Sequence, residues 1–253
     1  MKRCCYIAKP LLLLGMLMGT LAFGLLTLAE SPNPSSEDPP AVDAASEGWT
    51  IIVAEDFEGD FPGAWEVFDE DGAANGEYHW AKRDCRPHGG DYSGWCVGGG
   101  KDGGGLACGA LYPDNARSWM VYGPFDLSKA TYAEMRFSFW LDTEPSRDWL
   151  RWGASIDGQN WHWGGRASGS SGGWKEVTFD LTDVGGLGDL TGQPAVWVAI
   201  VFESDLDTAC QEGAFVDDIV LRAFAGGARP TPPLPPGLHQ LFLPFILKDS
   251  GER

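Results

Sequence analysis

The sequence predicts an all-β fold, a two-sheet antiparallel β-sandwich of the jelly-roll kind, and three observations carry that prediction. Tyr132 to Leu141 alternates strictly, with Ala133, Met135, Phe137, Phe139 and Leu141 on one face and Tyr132, Glu134, Arg136, Ser138 and Trp140 on the other, the period of a half-buried strand. Val196 to Phe202 is continuously apolar between Pro194 and Glu203, as a strand covered on both faces would be. From Gly48 to Phe224 no stretch holds a helical period, and clusters of Gly, Asn, Asp and Pro separate the apolar runs.

In chain order the predicted strands are Thr50 to Phe57, Met120 to Leu127, Tyr132 to Leu141, Leu150 to Ile156, Lys175 to Leu181, Val196 to Phe202 and Ala214 to Phe224. The first and last carry an unusual feature. Ala54-Glu55-Asp56-Phe57-Glu58-Gly59 and Gly213-Ala214-Phe215-Val216-Asp217-Asp218-Ile219-Val220-Leu221 place acids inside or at the tip of apolar runs. Buried acids are costly unless hydrogen bonds or a cation compensate them. First and last strands of a sandwich often lie side by side, so these carboxylates are expected to meet. Asp217 shares strand parity with Phe215, Ile219 and Leu221 and is expected on the core side, with Asp218 pointing the other way. Asp217 then either binds a cation or accepts backbone hydrogen bonds.

Outside this domain the composition changes. Residues 1–29 read as a secretory signal: Lys2, Arg3 and Lys9 precede the apolar run Leu11 to Leu28, with a cut after Thr27-Leu28-Ala29. The run is also near the length of an uncleaved anchor. Both readings put the remainder outside the cell, secreted or at its surface, with no membrane insertion after cleavage. Residues 30–47 form an acidic, Pro-rich tether, residues 225–240 a Pro-rich linker of polyproline character. Residues 241–253 contain Leu241-Phe242-Leu243-Pro244-Phe245-Ile246-Leu247, too short to span a bilayer. This tail is suited to docking on its own domain, a partner or a sorting machine.

The formal charge is −18, and removal of the basic leader makes it more negative, so nucleic acid and anionic membranes are excluded as partners. Export permits disulfides among Cys85, Cys96, Cys108 and Cys210. The pairing is not readable from sequence, although Cys85 with Cys96 is favoured, and the spacing argues against zinc. Asp69-Glu70-Asp71-Gly72-Ala73-Ala74-Asn75-Gly76-Glu77 has the look of a calcium loop, but Ala73 and Trp80 occupy two of its ligand positions. A polar turn is expected there.

No catalytic constellation emerges. The histidines His79, His88, His162 and His239 are scattered. Gly169-Ser170-Ser171-Gly172-Gly173 has the letters of a nucleophile elbow without its strand-to-helix setting. Gly98-Gly99-Gly100-Lys101-Asp102-Gly103 is expected to be a flexible loop. Glu134 and Glu176, both on outward strand faces, are the one carboxylate pair that would serve a glycoside-active enzyme; solvated surface is the simpler expectation. Twelve tryptophans fill a core or stack on sugar rings. Trp65, Trp95, Trp152 and Trp161 are expected in the core. Trp140, Trp149 and Trp163 are the candidates for a ligand-binding platform.

The order of several short motifs carries a resemblance. Glu55-Asp56-Phe57-Glu58-Gly59, Phe61-Pro62-Gly63-Ala64-Trp65, Trp80, Ser93-Gly94-Trp95-Cys96, Gly123-Pro124-Phe125-Asp126-Leu127-Ser128, Ser155-Ile156-Asp157-Gly158-Gln159-Asn160-Trp161 and Phe215-Val216-Asp217-Asp218-Ile219 together resemble the concanavalin-like jelly-roll modules of the MAM and immune inhibitor A type. The chain is also similar to carbohydrate-binding jelly rolls. The resemblance implies a non-catalytic adhesion or recognition module whose partner is an extracellular glycan or surface protein. It also implies a structural calcium ion, with Glu58 and Asp217 as side-chain ligands and Asp56 and Asp218 beside them. The alternatives are a polysaccharide-binding module proper, a glycoside-active enzyme, and an architectural envelope protein.

Overall fold

A computed structural model describes residues 48–207 and 211–227. The signal segment 1–29, the tether 30–47, Cys210, most of the linker and the tail 241–253 lie outside the described residues. Eleven strands and one helical turn make up the domain: β1 Trp49–Glu55, β2 Glu66–Asp69, β3 His79–Arg83, β4 Ser93–Gly99, α1 Gly100–Gly103, β5 Arg117–Phe125, β6 Tyr132–Asp142, β7 Trp149–Ser155, β8 His162–Ala167, β9 Lys175–Asp180, β10 Val196–Glu203 and β11 Gly213–Phe224.

The strands form a two-sheet antiparallel sandwich. One sheet runs β3-β4-β11-β6-β9, with β1 also paired to β11, and the other runs β2-β5-β10-β7-β8. Between them lie Phe57, Trp80, Met120, Met135, Phe137, Leu141, Leu150, Val198, Ile200, Phe202 and Leu221, all essentially inaccessible to solvent. Each such side chain contributes about 1.5–3 kcal/mol on burial. Trp80 reaches across the layer and donates its indole N–H to the Ser118 carbonyl at 3.2 Å, so its one polar atom is satisfied inside the core.

First and last strands are neighbours, as expected: β1 pairs β11 from Trp49 opposite Phe224 to Glu55 opposite Ile219. Further back, Phe215 and Val216 of β11 pair Trp95 and Gly94 of β4. A bulge separates the two stretches, because Asp217 lies opposite Ser138 while Val220 lies opposite Arg136, and Asp218 takes a positive φ of 50°. The extra residue inverts side-chain parity. Asp217 therefore shares the outer face of its sheet with Phe215 and is on the opposite side from Ile219, which corrects the core-side expectation.

That outer face is itself layered. Trp95 stacks on Phe215 at 5.6 Å, and Trp140 meets Phe215 edge-on at 5.7 Å. Near the other end, Glu134 is only 2% exposed. It accepts hydrogen bonds from Arg222 at 2.6 and 2.8 Å and from the Tyr132 hydroxyl at 3.0 Å, and pairs with Arg136 at 2.7 Å. Trp49 covers this cluster, with the Arg222 guanidinium 4.1 Å from its ring. Alternation correctly placed Glu134 outward but could not show that a neighbouring strand and its tryptophan would roof it, so the solvated surface expected there is absent. Glu176, four residue pairs along the β6–β9 ladder, is exposed.

Two local expectations are corrected. Cys85 is bonded to Cys108, with Cα atoms 5.5 Å apart; Cys96 points into the core from the middle of β4, where its sulfur accepts the Ala214 amide at 3.2 Å. Burial pushes the Cys96 thiol up, so it is inert as a nucleophile. Gly98 and Gly99 complete β4 and Gly100–Gly103 form a helical turn. At Gly100 φ is +81° and a Cβ would strike the Glu77 carbonyl, so here glycine serves close backbone approach rather than flexibility. Ser171, in the elbow-like run, bonds the Leu141 backbone and the Gly173 carbonyl, which makes it a loop anchor.

Candidate functional site

Two regions collect side chains capable of recognition. The first is the junction at the bulge, where β11 changes partner from β4 to β1. Asp217, fully buried, accepts the His88 and Gly89 amides on Oδ2 at 2.8 and 3.2 Å and the Asp218 amide on Oδ1 at 2.8 Å. Asp218 contacts His88 Nδ1 at 2.6 Å. Glu58 accepts the Asp91 and Tyr92 amides on one oxygen at 2.8 and 2.9 Å, and Asp56 accepts the Glu58 amide at 3.0 Å. The Lys82 ammonium donates to the Glu58 and Gly59 carbonyls at 2.8 and 2.9 Å and sits 4.0 Å from the Tyr92 ring centroid.

Two of these acids, Asp217 and Glu58, thus grip one loop, residues 88–92, through its backbone N–H groups, while Asp218 meets its His88 ring. Burial pushes both Asp217 and Glu55 above the usual carboxylate range despite those hydrogen bonds, the behaviour of acids short of compensating positive charge. Their donor atoms are not drawn to one point. Among the described residues, the one trio of such donors within 4.8 Å of one another is Asp84, Cys85 and Cys108, and its sulfurs are already joined to each other.

The calcium-like segment after β2 is a turn. Asp69 accepts the Tyr78 amide at 2.9 Å, while Asp71 accepts from the side-chain amides of Asn75, at 2.5 Å, and Asn115, at 3.1 Å. Burial, reinforced by the neighbouring Asp71 carboxyl, raises Asp69 to about 6. A carboxyl raised in the folded state favours folding most when protonated, so its contribution is fully present below the ordinary value near 4 and is lost as pH climbs through about 6. Asp69→Asn is accordingly expected to raise the thermal midpoint at pH 7.5, and to leave it unchanged at about pH 3.5, below the ordinary carboxyl value. Partial exposure limits the gain to about 1 kcal/mol. Melts of both proteins at the two pH values check this; equal shifts at both would refute the assignment to Asp69.

The second region is the outer face of the β2-β5-β10-β7-β8 sheet. Residues opposite one another in an antiparallel pair share a face, and the registers bring Phe68, Trp119, Val121, Ala199, Val201, Trp197, Trp149, Arg151 and Trp163 to the same side. Trp119, Val121, Ala199 and Val201 are its buried floor, and Phe68, Trp161, Trp163 and Trp197 lie partly exposed upon them. Phe68 stacks on Trp119 at 5.9 Å and 9°, with Trp161 and Trp163 tilted against the same ring at 5.5 and 5.9 Å. Five of the twelve tryptophans therefore crowd one outer face.

Trp161 is held there by a rigid turn. The Asp157 carboxylate accepts the Gln159 and Asn160 amides at 2.8 and 2.7 Å, the Ser155 hydroxyl at 2.9 Å and the Asn160 side chain at 2.7 Å. Those bonds hold its pKa well below the usual range. The expectation that Trp161 would be core fails because β7 ends at Ser155 and the hairpin folds back over the open face.

Of the three predicted platform residues, Trp149 and Trp163 share this face, with Arg166 lying 4.2 Å from the Trp149 ring and Arg151 5.6 Å from Trp163. Trp140 is on the outer face of the other sheet under the Arg86 guanidinium, 3.7 Å from its ring. Trp119, Trp197 and Phe68 were not anticipated. The signal for Trp119 was present in the alternation Arg117, Trp119, Val121 against Ser118, Met120, Tyr122.

The chain is thus a jelly-roll β-sandwich whose five-stranded sheet carries a cluster of partly exposed aromatic rings on its outer face. No family model and no curated protein sequence matches it. Among solved structures it is similar to the K1 cleaved adhesin domain of Lys-gingipain from Porphyromonas gingivalis W83, at 15% identity over 68% of this chain and 97% of that one, with a TM-score of 0.46. It is similar also to the CBM22-1 xylan-binding domain of Paenibacillus barcinonensis Xyn10C, at 10% identity over 72% and 100% of the two chains, TM-score 0.44. A third is the family 11 carbohydrate-binding module from Clostridium thermocellum in complex with a β-1,3-1,4-mixed-linked tetrasaccharide, at 14% identity over 69% and 95%, TM-score 0.39. At these identities a shared trace says nothing of shared ligands.

Proposed function

We propose that this chain is an exported, non-catalytic recognition module that adheres to an extracellular glycan through the outer face of its five-stranded sheet. One observation carries the reading: Trp161, Trp163, Trp197 and Phe68 stand partly exposed on a floor of Trp119, Val121, Ala199 and Val201. A sheet face that is only solvated alternates to polar residues, and aromatic rings with arginines and carboxylates at their margin suit the apolar faces and hydroxyl rims of sugars. Export accords with the leader-like start and with the Cys85–Cys108 disulfide. The motif order supports kinship with the MAM and immune inhibitor A modules. A catalytic role for Glu134 and Glu176 is disfavoured because two arginines and a tyrosine already occupy Glu134.

The test is retention on insoluble polysaccharides, followed by titration with a soluble form of whichever is bound. Trp163→Ala is expected to weaken binding at least tenfold, about 1.4 kcal/mol, whereas Trp140→Ala, on the other sheet, leaves it within twofold. Equal loss from both would place the ligand elsewhere.

A second proposal concerns the junction. Glu55, Asp56, Glu58, Asp217 and Asp218 share it with Lys82 and His88, and the acid excess together with an all-oxygen donor set suits a hard divalent cation. Glu58 and Asp217, with Asp56 and Asp218, would hold a structural calcium ion, which would supply the missing positive charge where β1, β4 and β11 meet.

A further inference from the structure

At one end of the aromatic face, where β5, β7 and β10 run out, the surface opens into a cleft of about 570 Å³, within the range of roughly 300–1,000 Å³ that small-molecule sites occupy. Trp149 lines it together with Arg117, Arg147, Arg151, Glu203 and Asp205. The lining charges balance, three arginines against Glu203, Asp205 and Asp207: Arg151 lies 2.7 Å from Glu203 and Arg147 3.4 Å from Asp205, while Arg117 reaches Glu70, outside the lining, at 3.3 Å. The cleft thus has no net charge to offer a charged ligand, yet it presents planar guanidinium forks and carboxylates side by side.

Its walls are held before any ligand arrives. Asp148, fully buried, accepts the Asp205 amide at 2.8 Å, and Ser204 Oγ joins the Pro113 carbonyl and the Ala116 amide, both at 2.8 Å. That scaffold presents Leu206, 77% exposed, at the rim, an apolar side chain that gains burial only from something that enters the cleft.

Resting on the glycan reading above, we infer that this cleft is a hydroxyl-reading subsite, continuous with the tryptophan face, that selects an uncharged polysaccharide. Vicinal hydroxyls of a neutral pyranose donate to the carboxylates and accept from the guanidinium forks while the ion pairs stay intact. A uronate or sulfate would have to compete with Glu203 and Asp205 for their arginines, and would approach against the −18 formal charge of the chain. Charge matching therefore acts against acidic polymers as well as for neutral ones.

The experiment is affinity electrophoresis and titration of the full chain with mixed-linkage β-glucan, arabinoxylan and galactomannan as neutral polymers and with polygalacturonate and alginate as acidic ones. Three proteins are compared: wild type, Trp163→Ala, and the double variant Arg147→Gln with Asp205→Asn. The last removes an exposed pair together and leaves neither charge orphaned; unchanged circular dichroism establishes that it folds. The inference expects at least one neutral polymer bound tenfold or more tightly than both acidic ones, and about tenfold weaker binding of that polymer by the double variant. An acidic polymer bound as tightly as the neutral ones overturns the selectivity. A double variant that binds like wild type while Trp163→Ala does not overturns the subsite and spares the platform. If none of the five polymers is bound, the glycan reading itself fails and takes the subsite with it.

Discussion

Asp217→Ala is expected to lower the unfolding free energy by about 3 kcal/mol, which for a domain of this size corresponds to a fall of roughly 6–12 °C in the thermal midpoint. The substitution removes the acceptor of three backbone N–H groups, those of His88, Gly89 and Asp218. Hydrogen bonds to a charged acceptor are worth about 1.5–3 kcal/mol each. Relief from burying the carboxylate offsets part of that loss, so the net is well below the sum. Calcium supplies the second arm of the measurement. If the junction holds an ion, EDTA lowers the wild-type midpoint, millimolar calcium restores it, and Asp217→Ala is insensitive to both. A wild-type melt indifferent to EDTA and calcium would remove the metal from the proposal and leave the acids as clamps on residues 88–92.

Asp148→Ala is expected to cost about 2–3 kcal/mol and to loosen residues 204–207 without touching the aromatic face. Its carboxylate takes the Tyr112 hydroxyl on one oxygen and the Asp205 amide on the other, both buried enough that the orphaned donors lose a partner outright. The same hydroxyl accepts the Glu144 amide at 3.0 Å, so the variant disturbs both loops that border the cleft. Denaturant unfolding reports the stability, and amide hydrogen exchange at Asp205 the local effect. Undiminished protection of that amide would show that Asp148 does not hold the loop.

Legibility from sequence followed the strength of the local pattern. β6 and β10 were readable because one alternates cleanly and the other is uniformly apolar. β4, Ser93-Gly94-Trp95-Cys96-Val97-Gly98-Gly99, was not, since its glycines look like a loop until Phe57, Arg83 and His79 are seen packed where their side chains would be. The meeting of the first and last strands was foreseen. The bulge was not, because a positive φ at Asp218 leaves no trace in a pattern of apolar residues. Parity marked Trp149 as facing away from the apolar set and a Gly-rich setting marked Trp163, but only register between strands distant in sequence could reveal that Trp119, Trp197 and Phe68 stand beside Trp163, or that Trp140 belongs to the opposite side of the molecule.

Trp49 lies opposite Phe224, and the Ala225 amide bonds the Gly48 carbonyl at 2.9 Å. The chain therefore enters and leaves the sandwich at a single point, as if through one doorway. Tension applied between the two ends would open β1 from β11 one hydrogen bond after another, beginning at that doorway, and the sheet would meet it as an unzipping rather than a shear. A load that arrives from a ligand on the opposite sheet and leaves by only one of the two ends does not pull across that seam in this way. The mechanical resistance of the module depends, then, on which end is fixed, and a hold on one end spares the strand pair that a hold on both would peel apart.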